Sequence, residues 1–454
     1  MDAYETFIKK YPSYENNLLD KVRKEQFPQL EGVCYADWTG AALPSRLLLE
    51  SHFDFLKNNL LGNPHSHHGP SATAMHEINE TRRAILDFFK ADPGEYDVIF
   101  TQNATKAIEI LENYLFEGGE ILLTTDNHNS VNGLREIVKR KGGVVRYSPI
   151  NEDLTINEER LQTALRFPRS CSNKLFCYPA KSNYVGTKHS LDWICEAQSN
   201  GWDVLLDAAA FSANNRLDLS VVKPDFVPIS FYKIFGYPTG IGCLIIKKSK
   251  YGKLHKKWFS GGSILLVGVM LDFYALESRG YARFEDGTVN FGNIPAIKNG
   301  LEFFTSLGSG ISDRVISIAS WLHDELNGMR YGDAYIKVHS LKGCDTVTFS
   351  VIKGDETIDA WTFEQAVNKD KVFVRTGCFC NPGVNERIFN YKVESFAKLY
   401  NSAISQEEIT IEELRKYSGN DPIGAIRTSF GFANNFNDVA MLASSAAKFL
   451  RNVS

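Results

Sequence analysis

Lys233 lies in Phe226-Val-Pro-Ile-Ser230-Phe-Tyr232-Lys233-Ile-Phe-Gly236-Tyr-Pro-Thr-Gly240-Ile-Gly242, where an apolar strand delivers it into a glycine-rich turn before the next strand. A lysine near a strand end is often merely solvated, so its meaning depends on its companions. Val204-Leu-Leu-Asp207-Ala-Ala-Ala ends a second strand in an aspartate followed by small residues. In a parallel sheet that carboxylate emerges at the carboxyl edge, where α/β enzymes hold ligands. Thr101-Gln-Asn103-Ala104-Thr105 leads from a strand into a helix and offers backbone amides and a hydroxyl to an anion. An ordinary helix cap uses the same residue types. His128 closes another strand in the polar run Thr124-Thr-Asp-Asn127-His128-Asn-Ser. Cys378 and Cys380 form a CxC within a polar Gly/Asn/Pro loop.

Together these groups meet the needs of a pyridoxal-phosphate site. A lysine amine forms the Schiff base, and an acidic partner keeps the pyridine nitrogen protonated so that the ring withdraws electrons. Asp207 suits the acidic role, Asn103 to Thr105 the phosphate, and His128 a place against the ring.

The elements that must position these residues read as α/β. Short apolar runs at Val98–Thr101, Ile121–Thr124, Val144–Tyr147, Leu175–Tyr178, Val204–Leu206, Val227–Ser230 and Ile241–Ile246 alternate with helical stretches. Seven such runs predict a mostly parallel seven-stranded sheet. Helices are expected at Thr105–Phe116 and at Val131–Lys141, the latter stopped by Gly142-Gly143. Beyond residue 300, a helix at Val315–Leu326, strands at Tyr335–His339 and Thr346–Val351, and a helix at Asp438–Arg451 predict a smaller α+β domain. The expected division is an N-terminal segment over 1–30 packing on the small domain, a large domain over 31–300, and a small domain over 301–454 carrying Cys380 and Arg427.

With 454 residues, 50 basic against 54 acidic side chains and a net charge of -4, the chain lacks the electrostatic footprint of a nucleic-acid or anionic-lipid binder. Its start, Met1-Asp-Ala-Tyr-Glu, shows no basic lead or apolar core of a secretory signal, and no apolar run approaches the ~20 residues a bilayer needs. A cytoplasmic location without membrane contact is expected. Eight cysteines without CxxC pairs argue against a disulfide framework or zinc knuckle.

The sequence resembles the class V pyridoxal-phosphate enzymes, the cysteine desulfurase superfamily, and within them the N-terminal desulfurase domain of molybdenum cofactor sulfurases. Three segments carry this: Ser230-Phe-Tyr-Lys233-Ile-Phe-Gly-Tyr-Pro-Thr-Gly, Phe284-Glu-Asp286-Gly-Thr288-Val-Asn-Phe, and Val374-Arg375-Thr-Gly-Cys378-Phe-Cys380-Asn-Pro-Gly. The resemblance extends from Tyr35-Ala-Asp37-Trp-Thr-Gly-Ala-Ala to Ile426-Arg427-Thr-Ser-Phe-Gly431. It implies a fold-type I transferase with pyridoxal 5'-phosphate on Lys233, Asp207 at the pyridinium, His128 stacked on the ring and Asn183 at the phenolic oxygen. Asn103, Ala104, Thr105 and Ser230 would bind phosphate. Gly287 and Thr288 would reach the phosphate of a neighbouring subunit, implying a homodimer with shared sites. Arg427, with Arg375 nearby, would clamp the carboxylate of L-cysteine. Cys380 would take the sulfur as a persulfide, its thiolate favoured by cations such as Arg375, with release of alanine. A separate protein or a small thiol would then accept the sulfur.

Some positions depart from the family pattern. The chain ends at Ser454, so the large cofactor-binding module of full-length sulfurases is expected to be missing. Asn385 stands where the sulfurase motif has another cysteine, Ala210 where ordinary desulfurases have glutamine, and Tyr232 where they have histidine. Alternative class V activities are a C–S lyase, an aminotransferase or an epimerase, and a non-catalytic relay subunit is a further reading that an intact Lys233, Asp207 and Arg427 oppose. His65-Ser-His67-His68 has spacing unsuited to a metal, so none is expected.

Overall fold

The computed structural model describes residues 3–170, 173–391, 394, 397 and 424–454. A seven-stranded sheet runs in the order Tyr96–Thr101, Gly242–Lys247, Phe226–Ser230, Asp203–Asp207, Lys174–Pro179, Glu120–Thr124, Val144–Ser148. Gly242–Lys247 is antiparallel to both neighbours, and the five strands from Phe226–Ser230 to Val144–Ser148 are mutually parallel. The mostly parallel α/β sheet expected from the sequence is therefore present.

Successive strand residues point to opposite faces, and both faces are covered. Val98, Phe176, Val204, Leu206, Val227 and Ile229 pack with Ile78 and Ile85 of the helix Gly69–Phe88. Ile99, Ile121, Leu123, Leu175, Leu205 and Leu244 pack on the other side with Ala107, Leu111, Leu134 and Val138. This double burial explains why the strands read as continuous apolar runs.

A second sheet, antiparallel throughout, orders Arg330–Tyr331, Ala334–Val338, Thr346–Lys353, Ala425–Ser429, Arg375–Gly377, with Glu356–Ile358 also paired to Thr346–Lys353. Its register sets Arg375 directly opposite Arg427. The chain start is stitched to it. Cys34–Tyr35 pairs in parallel with Val372–Phe373, Asp37 bridges to Ser429, and the Phe7 ring packs tilted against Phe436 with centroids 4.6 Å apart.

Helix boundaries differ from the sequence reading where tertiary contacts intervene. The stretch expected as Thr105–Phe116 is a helix only over Ala104–Glu109, followed by a tighter 3-10 turn over Ile110–Asn113. Tyr114 then leaves the helical path because its buried hydroxyl donates to Asp203 Oδ2 at 2.5 Å. Val131–Lys141 is split at Gly133 into Asn129–Asn132 and Leu134–Arg140. The last helix spans Phe436–Val453, starting early because Asn435 and Asp438 form a reciprocal capping box.

Candidate active site

The parallel strands bring Asp207, Ser230 and the loops after Thr101 and Thr124 to the carboxyl edge of the sheet, with Thr101 and Ser230 both opposite Gly242. A cavity of about 190 Å³ opens there, lined by Asn103, Ala104, Thr105, His128, Asn183, Asp207, Ser230 and Lys233 among others. All eight expected cofactor-side residues outside the Gly287–Thr288 turn thus meet at one place.

Lys233 belongs to a single helical turn, Tyr232–Phe235, ended by Gly236 at φ +81°. A Cβ on Gly236 would come within 2.2 Å of the Leu43 backbone, so both conformation and space require glycine. Burial lowers the Lys233 pKa most; Asp207 opposes this, while Arg427 and Arg375 add to it. The result favours a neutral, nucleophilic amine able to add to a carbonyl carbon. Asp207 is held in place because its Oδ1 accepts the Ala209 N–H at 3.0 Å.

His128 caps the helix Asn129–Asn132, its Nδ1 accepting the Ser130 N–H at 3.1 Å. That bond puts the proton of the neutral ring on Nε2. Burial, then the charge of Lys233, lowers the His128 pKa, which favours the neutral ring. Hydroxyls gather beside it. Thr105 Oγ1 and Ser130 Oγ are 2.8 Å apart, and Ser230 Oγ accepts the Ala104 N–H at 2.8 Å.

The Cys380 loop reaches this cavity through Asn183. The Asn183 Nδ2 donates to the Phe379 carbonyl at 2.7 Å, and Asn129 N–H donates to the Cys380 carbonyl at 2.7 Å. Phe379 and Cys380 both adopt left-handed backbone, φ +52° and +56°. Such conformations cost about 1–2 kcal/mol per residue, so they require these outside supports. Phe379 is wedged between the Tyr184 ring and the Arg427 guanidinium, each 4.7 Å away. Cys380 is exposed and Cys378 half-buried.

Arg427 is buried, and its terminal nitrogens donate to the Asn183 carbonyl at 2.8 Å and to Asp37 Oδ1 at 2.7 Å. Arg375 approaches the other Asp37 oxygen at 3.7 Å. Asp37 was not singled out in the sequence, although it lies within the quoted Tyr35-Ala-Asp37 run. Also missed were Lys181, which lines the cavity and pairs with buried Asp345 at 2.6 Å, and the buried group Asp126, Ser182, His189 and Asn381.

Gly287 and Thr288 are not part of the cavity; they sit on an exposed turn, with Asn63 Nδ2 3.4 Å from Thr288 Oγ1. Asn385 accepts the Tyr184 hydroxyl at 2.6 Å. His68 caps the helix Gly69–Phe88 through Ser71.

The fold and the amine-and-carboxylate cavity at its carboxyl edge define a class, and the family model for aminotransferase class-V matches residues 34–442. The chain belongs to that family. It is 31% identical over 457 residues to a molybdenum cofactor sulfurase from Bos taurus, covering 94% of this chain and 51% of that protein. The chain thus spans about half the length of that curated relative. The apo structure of a cysteine desulfurase from Thermococcus onnurineus NA1 superposes with TM-score 0.78 at 19% identity, covering 96% of this chain and 99% of that one. A cystine C–S lyase in complex with cysteine persulfide has TM-score 0.69 at 18% identity, covering 93% and 99%. These two share the fold.

Proposed function

We propose that the chain is a pyridoxal 5'-phosphate-dependent cysteine desulfurase that moves sulfur from L-cysteine onto Cys380 as a persulfide and releases alanine. The residues fit the cofactor: an amine and a carboxylate line one cavity, Ala209 and Ala210 leave it open, and Thr105, Ser130 and Ser230 supply hydroxyls. When bound, the cofactor supplies an electron-withdrawing ring that accepts negative charge from the substrate. Lys233 would hold it, and its amine would take the substrate α-proton. Asp207 would keep the ring nitrogen protonated, His128 would lie beside the ring, and Asn103, Ala104, Thr105 and Ser230 would hold the phosphate. Arg427, with Arg375, orients the substrate carboxylate. The Cys380 thiolate attacks the substrate sulfur, so an S–S bond forms as the C–S bond breaks, and the electron pair leaves with the carbon that becomes alanine.

One observation carries this reading: Asn183 lines the Lys233 cavity and binds the backbone of the Cys380 loop at 2.7 Å. It links the carbon chemistry to a sulfur acceptor. The test is alanine release from L-cysteine by protein loaded with pyridoxal phosphate, together with mass detection of a persulfide on Cys380. Neither product would appear if the reading were wrong. A C–S lyase would release sulfide with Cys380 unmodified.

The same reading makes the active form a homodimer. The hairpin Ile264–Gly268 and Phe273–Leu276 exposes Leu265, Val269, Met270 and Leu271 at 69%, 91%, 95% and 80%, an apolar surface suited to burial against a second copy. In such a dimer the exposed Gly287–Thr288 turn would face the partner's cofactor. It also treats the strands from Tyr96 to Lys247 as the core of a large domain over 31–300, with 301–454 as the small one. The seven described cysteines are all free, and none of the described helices is long and apolar enough to cross a membrane. Free thiols accord with a reducing cytoplasm. An exposed Cys380 is accessible to an acceptor protein or small thiol.

A further inference from the structure

Asp126 and Asn127 precede His128 and are fully buried. The Asp126 carboxylate takes three side-chain hydrogen bonds from residues distant in the chain. Its Oδ1 accepts Ser182 Oγ at 3.0 Å and Asn381 Nδ2 at 2.5 Å, and its Oδ2 pairs with His189 Nε2 at 2.8 Å. All four side chains are buried, so the carboxylate depends on these bonds in place of water.

Asn381 is the neighbour of Cys380. Its amide also donates to Asn183 Oδ1 at 3.0 Å, while its own oxygen caps the helix Pro382–Phe389 through Val384. The two loops touch along their backbones as well. Asn129 N–H donates to the Cys380 carbonyl, and a Cβ on Gly383 would lie 2.1 Å from the Thr125 carbonyl oxygen. Residues 125–129 and 379–383 therefore form one packed unit, with Asp126 as its only side-chain carboxylate.

We propose that Asp126 is a positioning residue for sulfur transfer: through Asn381 it sets where the Cys380 loop stands relative to the Lys233 cavity. This rests on the reading that Cys380 accepts the substrate sulfur. Lys233, on the helical turn Tyr232–Phe235, and Asp207, at the end of its strand, are not among the hydrogen-bond partners of Asp126, so the α-proton step and the sulfur step can be measured apart. An amide at position 126 keeps the volume but removes the charge and replaces one acceptor oxygen with a donor, so His189 must change tautomer or Ser182 or Asn381 must give up its present bond.

The experiment uses Asp126→Asn in the cofactor-loaded enzyme. The expected result is retained visible absorbance and retained exchange of the L-alanine α-hydrogen in D2O, with persulfide formation and alanine release from L-cysteine slowed about 100-fold, the scale of a misplaced reacting group. Asn381→Ala removes the same bond from the loop side, together with the Asn381 bonds to Asn183 and Val384, and should give the same split. In the double variant the losses should be less than additive. Unchanged sulfur transfer in either variant would overturn the proposal, as would a proportional fall of exchange and sulfur transfer in Asn381→Ala. If the wild type itself releases no alanine from cysteine, the functional reading fails; if it does so and both variants match it, only the role of Asp126 fails.

Discussion

Arg375 and Arg427 stand directly opposite one another in the antiparallel pair Arg375–Gly377 and Ala425–Ser429, and Asp37 lies against both, 2.7 Å from Arg427 and 3.7 Å from Arg375. Like charges in that position repel. Asp37 supplies the compensating charge, and Arg427 Nε has no partner among the described residues. Asp37→Ala should therefore leave a buried guanidinium underpaired and destabilise the fold by about 3–5 kcal/mol. Urea denaturation measures this, and saturating L-cysteine should narrow the gap by offering a carboxylate to Arg427. A midpoint unchanged from wild type would show that Asp37 contributes no such charge.

Lys233→Ala should abolish the visible absorbance of protein loaded with pyridoxal phosphate, because only an imine joins the lysine nitrogen to the ring conjugation. The variant should also release no alanine. Burial and the two arginines lower the Lys233 pKa, so cofactor uptake should continue to lower pH than an ordinary lysine amine would allow. A spectrophotometric titration of both proteins checks this. Wild-type absorbance in the variant would remove Lys233 from its assigned place.

The strand pattern was legible because burial on both faces makes the strands short apolar runs, and because a lysine and an aspartate at their carboxyl ends stand out. The partners of those residues were not. Asp126 meets His189 and Asn381 across 63 and 255 residues, and Asp37 meets Arg427 across 390. Such pairs leave no local periodicity. The end of the helix at Glu109 was hidden for the same reason, since it depends on Tyr114 reaching Asp203, 89 residues away.

Cys380→Ser should keep cofactor absorbance and α-hydrogen exchange but form no persulfide and little alanine. Cys378→Ser should retain most activity. Of the two, Cys380 is exposed, while Cys378 is half-buried in the strand-to-loop transition. Mass spectrometry after incubation with L-cysteine, beside alanine assays, separates the two. The reverse pattern would place the acceptor at Cys378.

Burial, with a smaller effect from Lys337, lowers the His339 pKa to about 3, and its Nε2 lies 2.9 Å from Ser350 Oγ. In the unfolded chain an imidazole titrates near ~6.5. As pH falls below that value the unfolded state takes up the proton first. The stability contributed by neutral His339 is thus fully present above ~6.5 and is lost between there and about 3, by at most about 1.4 kcal/mol per pH unit. His339→Gln should flatten the pH dependence of urea stability between neutral and mildly acidic pH. Parallel curves for the two proteins would refute the assignment.

A persulfide on Cys380 blocks the next attack until its outer sulfur is removed, so with cysteine alone turnover should slow after the first cycle. Dithiothreitol should restore it, because exposure of Cys380 lets a thiolate reach the outer sulfur, and thiolate attack on a sulfur–sulfur bond needs only access and a suitable leaving group. The measurement is alanine production with and without the thiol, run beside persulfide occupancy. A burst of about one alanine per site followed by a slow phase, abolished by dithiothreitol, is the expected record. Equal steady rates with Cys380 never modified would mean that sulfur leaves directly as sulfide, and the C–S lyase reading would replace the desulfurase one.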